Sequence, residues 1–138
     1  MSQIILDEHL GVREVLTPLQ RWITVRKIED FIPADILKDQ RVLQLLGQLK
    51  QPTFVTLDAG FCHRRYRDRR YCLLYFVLPQ AEQRRLPDLL RRLFRLPEFK
   101  SRTVRMGKVA RVNHERVEFW QVGEDKQRIL RWLASPRR

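Results

Sequence analysis

Thr53-Phe54-Val55-Thr56-Leu57-Asp58 decides the reading of this chain, because an apolar, β-branched run stops abruptly on an acid. Residues of this kind fit a pleated, buried surface, and five of them suit a strand better than a helix. Immediately upstream, Val42, Leu45, Leu46 and Leu49 recur at the spacing of one helical face. Asp39 stands just before that helix at an N-cap position, and Pro52 separates the helix from the strand. Downstream, Cys72-Leu73-Leu74-Tyr75-Phe76-Val77-Leu78 is the strongest strand signal in the chain. A second amphipathic helix follows, with Leu86, Leu89, Leu90 and Leu93 inward. Its outward Arg84, Arg91, Arg92 and Arg95 read as solubilising charge. Pro87 fits only within the first turn of that helix.

Further out, Ile4-Ile5-Leu6 has the all-apolar character of a buried central strand and stops at Asp7-Glu8. Val12, Val15, Leu16 and Leu19 follow at helical spacing, and Pro18 makes that helix short or kinked. Trp22-Ile23-Thr24-Val25 reads as a second strand, and Ile28 to Leu37 as a loop. Strands alternate with helices over the first hundred residues, an order that calls for a parallel sheet covered on both faces and joined by right-handed crossovers. The last third differs. Thr103 to Met106 and Val109 to Val112 are strand-like, and Arg116 to Val122 alternates across a hairpin turn at Asn113-His114-Glu115. A short helix, Ile129 to Leu133, carries Trp132, and Pro136-Arg137-Arg138 is a frayed tail. The expectation is one α/β domain over residues 1–138: a central, mainly parallel sheet in three layers, with a C-terminal β-hairpin and short helix.

The 138 residues can bury about 68 % of the unfolded surface, enough for a core without staples. Lys and Arg number 28 against 16 Asp and Glu, a net charge of +12. Charge of that size attracts polyanions, and its arginines suit phosphate forks and stacking on bases. RNA is the favoured partner, and no membrane is expected, because no apolar run approaches the roughly 20 residues of a span. Cys62 and Cys72 are too few for a disulfide framework and lack zinc spacing, as in a reduced cytoplasmic chain. The N-terminal apolar stretch is too short for a signal peptide. Neither a glycine-rich phosphate loop nor a supported Ser-His-Asp or Cys-His set is present.

Acids are scarce in this chain, so their positions carry information. Asp7 and Glu8 follow the first strand, Asp58 follows the third, and Asp39 opens the helix that feeds the third. In a parallel sheet all carboxyl ends share one edge, where ligands bind. Carboxylates gathered there repel one another near pH 7 unless a cation sits among them. An all-oxygen donor set favours magnesium or manganese, and such an ion in a basic protein points to phosphodiester chemistry. Each acid also has a plain reading: Asp39 as a helix cap, Asp58 with Gly60 as turn chemistry, Asp7 as a turn residue.

Ile4-Ile5-Leu6-Asp7-Glu8-His9-Leu10, Asp39-Gln40-Arg41-Val42-Leu43 and Val55-Thr56-Leu57-Asp58-Ala59-Gly60-Phe61 together resemble the motifs of PIN-like domains. The likeness covers roughly the first eighty residues. It implies a metal-dependent ribonuclease of the kind that serves as the toxin of a toxin–antitoxin pair. It further implies Asp7, Asp39 and Asp58 as metal ligands, Glu8 as a supporting catalytic acid, an acidic antitoxin protein as partner, a homodimer, and a sheet of order 3-2-1-4-5. The chain departs from the motif at Gly60, where the family carries a second acid, and at His9, where it carries Asn. An inactive PIN-like domain kept for nucleic-acid or protein binding is therefore the alternative, and Asp68 is a candidate substitute acid.

His63 to Tyr71 interleaves Arg64, Arg65, Arg67, Arg69 and Arg70 with Tyr66 and Tyr71. Arginine holds phosphate and tyrosine stacks on an unpaired base, so Arg64, Arg65, Tyr66, Arg67, Arg69 and Arg70 are the candidate RNA contacts. Following Asp58 directly, the segment is expected to border the acidic cleft; a solvated charge run is the plainer reading. His9 and His63 are candidate proton shuttles.

Overall fold

The fold was obtained as a computed structural model that describes residues 3–33 and 39–132. Strand β1 (Gln3–Leu6) leads through a wide π-helical turn at Val12–Leu16 into helix α1 (Thr17–Gln20). Pro18 sits in the first turn of α1, where its missing N–H costs nothing. Then come β2 (Val25–Lys27), α2 (Asp39–Gln48), β3 (Pro52–Thr56) and β4 (Cys72–Phe76). They are followed by α3 (Leu86–Leu93), α4 (Arg102–Arg105), β5 (Lys108–Val112), β6 (Arg116–Gln121) and β7 (Arg128–Arg131). The described strands form one mixed sheet of order β2-β1-β3-β4-β5-β6-β7. Its first five are parallel neighbours, while β6 and β7 run antiparallel.

Both faces of the parallel part are apolar, which explains the unbroken apolar runs. Ile4, Leu6, Val55, Leu74 and Phe76 point to one face and pack with Val15, Leu19 and the inward leucines of α3. Ile5, Phe54, Leu73 and Val109 point to the other and pack with Val42 and Leu46 of α2. At the amino ends of the parallel strands, fully buried Arg105 donates to Thr53 Oγ1 (3.1 Å) and to the Phe99 carbonyl (2.9 Å).

Four expectations need correction. The order 3-2-1-4-5 separates the first and third strands, yet β1 and β3 are hydrogen-bonded neighbours with Leu6 opposite Val55. The second strand begins only at Val25, because the Trp22 and Ile23 amides turn back onto the Leu19 carbonyl to close α1. Thr103-Val104 lies in α4 and not in a strand, since Ser101 caps that turn by accepting from the Val104 amide. Ile129-Leu130 belongs to β7 and not to a helix: apolar residues at 129, 130 and 132 fit either period, and pairing of Val117 with Leu130 along β6 decides for the strand. Leu133, the Pro136-Arg137-Arg138 tail and the 34–38 part of the expected loop lie outside the described residues.

Candidate functional site

The β1–β3 pairing sets the geometry of the acidic rim. The Asp7 amide donates to the Val55 carbonyl (3.0 Å), carrying the parallel ladder one residue beyond β1. The buried Asp7 carboxylate accepts from Thr56 Oγ1 (2.5 Å) through Oδ2 and from the Glu8 amide (2.8 Å) through Oδ1. Thr56 Oγ1 in turn accepts from the Asp58 amide (2.9 Å). One hydroxyl, fully buried on β3, therefore ties the two acid-bearing chain ends together. Burial pushes the Asp7 carboxyl above the ordinary carboxylate range, against the lowering effect of the Thr56 and Glu8 hydrogen bonds.

Asp58 caps the turn Ala59–Phe61 by accepting from the Gly60 amide (2.8 Å). A Cβ on Gly60 would stand 3.1 Å from Asp58 Oδ1 and 3.4 Å from Asp39 Oδ2. The two carboxylates thus lie close to each other beside Gly60, which has no side chain to come between them. Asp39 is the first residue of α2, and its carboxyl is pushed up first by burial and then by the charge on Asp58. Acids at a helix start are also favoured by the dipole, so its plain structural role persists beside the functional one. Asp7, Glu8, Asp39 and Asp58 line one pocket of about 40 Å³, closed behind by Val42 and Phe61. An adjoining cleft of about 200 Å³ runs from Asp7 and Asp58 past His9 and Leu10 to Gln80.

The donors are all oxygen, which suits a hard divalent ion. Asp39 and Asp58 are the nearest pair of candidate donors, their carboxylates lying side by side at Gly60, although Asp58 Oδ1 already accepts from the Gly60 amide. Asp7 is on the same wall, with both oxygens already accepting hydrogen bonds. Among the described residues, no three His, Cys, Asp or Glu side chains close around one point as they stand. The fit is a two-carboxylate cradle with a third acid beside it. Glu8 is half-buried, 3.5 Å from Nε2 of the exposed His9.

Sequence reasoning missed the residues that hold the rim. Lys27 on β2, in register with Leu6, donates through Nζ to the carbonyls of Glu8 (3.0 Å) and Leu10. Gln83 Oε1 accepts from the Gly11 amide (2.6 Å), and Gln80 Nε2 donates to the His9 carbonyl. These contacts cross long stretches of chain and leave no local signal. Thr56 had one: it stands inside the Thr-Leu-Asp segment.

The expectation that the basic segment borders the cleft needs correction: Phe61, just before it, lines the pocket, and none of residues 63–71 does. The segment carries the chain back to the amino end of the sheet. Arg67 donates to the carbonyls of Arg64 (2.8 Å), Gln121 (3.1 Å) and Glu124 (2.5 Å), and Gln121 pairs with Lys108 at the start of β5. Arg70 makes a two-pronged ion pair with Asp68 (2.9 and 2.8 Å), and its guanidinium lies against Gly47 late in α2. Asp68 is thereby neutralised away from the cleft and does not stand in for a rim acid. Tyr71 is buried, donates to the Tyr66 carbonyl (2.9 Å), and has its phenol pushed up to about 12, chiefly by burial. Arg65 stacks on Tyr66, 5.2 Å from the ring centre, and Arg64, Arg65 and Arg69 are exposed. No described helix is long and apolar enough to cross a membrane. No family model matches the chain, and no curated protein or solved structure does either.

Proposed function

We propose that the protein is a divalent-metal-dependent phosphodiester hydrolase acting on RNA, built on a three-layer PIN-like fold. The observation that carries this reading is the gathering of Asp7, Asp39 and Asp58 around one small pocket, with Asp39 and Asp58 side by side at Gly60, in a chain of net charge +12. A run of parallel neighbours carrying Asp7 and Asp58 at their carboxyl ends supports the fold part. The two apolar faces, one under α1 and α3 and the other under α2, support three layers.

Asp39, Asp58 and Asp7 would hold the ion. Magnesium or manganese, when bound, supplies Lewis acidity toward the phosphodiester and its attacking water. Thr56 keeps Asp7 and the Asp58 backbone in fixed relation, and Lys27, Gln80 and Gln83 hold the wall carrying Glu8 and His9. Exposed arginines position the RNA strand by its phosphates. The test is cleavage of a labelled RNA with manganese. Asp58→Asn is expected to lose cleavage while remaining folded, and wild-type rates in that variant would reject the reading.

A second reading, a non-catalytic nucleic-acid-binding module, is favoured by the two hydrogen bonds that already occupy Asp7 and by glycine at position 60. It predicts salt-sensitive RNA binding that EDTA leaves unchanged, with no product. In either case the basic surface suits an acidic protein as a masking partner in the cytoplasm, and co-purification of a small acidic protein tests for an antitoxin.

A further inference from the structure

The outer face of α3 carries a second basic surface, built differently from the loop at 62–71. Arg91 and Arg92 are consecutive, so they leave the helix about 100° apart and reach to opposite flanks. Arg91 lies over the ring of Trp22, 5.0 Å from its centre, and Arg92 over the ring of Trp132, 4.6 Å from its centre. Both indoles are half-buried and held: Trp22 packs edge-on against Phe94, and Trp132 Nε1 donates to the Asn113 carbonyl (2.6 Å). Arg95 is exposed one turn further on, beside both arginines. Among the described residues none of these three has a carboxylate within ion-pair distance, although Asp88 is one turn away. The loop commits Arg67 to backbone carbonyls and Arg70 to Asp68, and of its exposed Arg64, Arg65 and Arg69 one, Arg65, rests on a ring, where the strip has two guanidiniums on two held indoles.

We infer that this Trp22–Arg91–Arg92–Trp132 strip is the main docking surface for single-stranded RNA, in preference to the loop. A guanidinium resting on an indole is already ordered, so less side-chain entropy is lost when it takes a phosphate. The planar cation and the ring below it also offer a stacking surface for an unpaired base. The strip begins away from the acidic cleft, since Trp22 packs on Phe94 beside Arg105 at the amino ends of the strands, and α3 connects the two regions. The turn Gln80–Arg85 that opens α3 supplies Gln80 and Gln83, which hold the cleft wall at His9 and Gly11. Helix α3 is about 12 Å long and its start joins that turn, so a strand running back along α3 from the strip leads toward the cleft. The inference deepens the ribonuclease reading and rests on it only for the direction of the strand.

The test measures binding of a short fluorescein-labelled oligouridine by anisotropy in EDTA, over a range of salt. Arg91→Gln/Arg92→Gln is compared with Arg64→Gln/Arg65→Gln and wild type, each checked for folding by circular dichroism. Two lost phosphate contacts on a single strand are expected to lower the slope of log affinity against log salt by about 1.4 in the α3 variant. An unchanged slope in the α3 variant, an equal or larger loss in the loop variant, or no oligouridine binding by wild type overturns the inference. Because EDTA removes catalysis from the measurement, binding without any later cleavage under manganese counts against the enzyme reading alone.

Discussion

Asp68 and the rim acids Asp7, Asp39 and Asp58 are the same residue type under opposite treatment. Asp68 is met by both prongs of Arg70, and its carboxyl is held below the ordinary range, chiefly by that hydrogen bond. Asp7 and Asp39 are pushed the other way, in both cases chiefly by burial. Among the described residues no guanidinium or ammonium lies within ion-pair distance of Asp7, Asp39 or Asp58. A chain with twelve surplus positive charges has cations to spare. Asp68 is balanced by a guanidinium, whereas Asp7 and Asp58 are met by hydroxyl and amide donors that leave their charge uncompensated.

The comparison breaks most visibly at Asp58. Asp58→Asn or Asp39→Asn removes half of the cradle, and RNA cleavage with manganese is expected to fall at least about a hundredfold, the scale of several kcal/mol of transition-state stabilisation. Asp68→Asn is expected to leave the rate within about twofold, because removing its negative charge frees Arg70 without touching the rim. Equal losses at the two sites erase the distinction. Next comes Thr56→Val, which keeps the shape and deletes the hydroxyl between Asp7 and the Asp58 amide. A buried donor left without its acceptor costs on the order of 1–3 kcal/mol, read as a lower denaturation midpoint in urea, with cleavage falling too.

Gly60→Ala sharpens the claim about vacant space. No left-handed backbone is required at Gly60, so alanine is tolerated by the chain, but its methyl occupies the point 3.1 Å from Asp58 Oδ1 and 3.4 Å from Asp39 Oδ2. Manganese affinity by calorimetry is expected to drop about tenfold, about 1.4 kcal/mol of lost interaction, with the thermal midpoint nearly unchanged. The smallest effect is the pH dependence of Asp68. Its carboxyl is lowered in the fold from 3.8, so the stabilisation it gives is present above that value and fades as pH falls through the depressed folded value. Arg70 is exposed and Asp68 half-buried, so solvent screening through Arg70 keeps the contribution small. Asp68→Asn should lower the thermal midpoint slightly at pH 7 and not at all at low pH.

Much of the frame was legible in the sequence. Ile4–Leu6, Thr53–Thr56 and Cys72–Phe76 read as strands because burial on both faces excludes charged residues and leaves apolar or β-branched ones. The leucines of α3 and the helical stripe of α2 were equally plain, and so was the placement of acids at strand ends. Strand neighbours were not legible: apolar runs look alike, and only the hydrogen-bonded register of β1 against β3 says that Asp7 and Asp58 share an edge of adjacent strands. The last third failed for a local reason and a distant one. Ser101 turned Thr103-Val104 into a capped helical turn, and β6 drew Ile129-Leu130 into the sheet. Lys27, Gln80 and Gln83 were invisible because a polar side chain gives no sign of which distant carbonyl or amide it will meet.

The most direct test is a crystal soaked in manganese and read for anomalous scattering. A single peak bounded by the carboxylates of Asp39 and Asp58, with Asp7 beside it and Gly60 beneath, is the predicted result. A rim without a peak at manganese concentrations that saturate ordinary carboxylate sites, or a peak only elsewhere on the molecule, contradicts it.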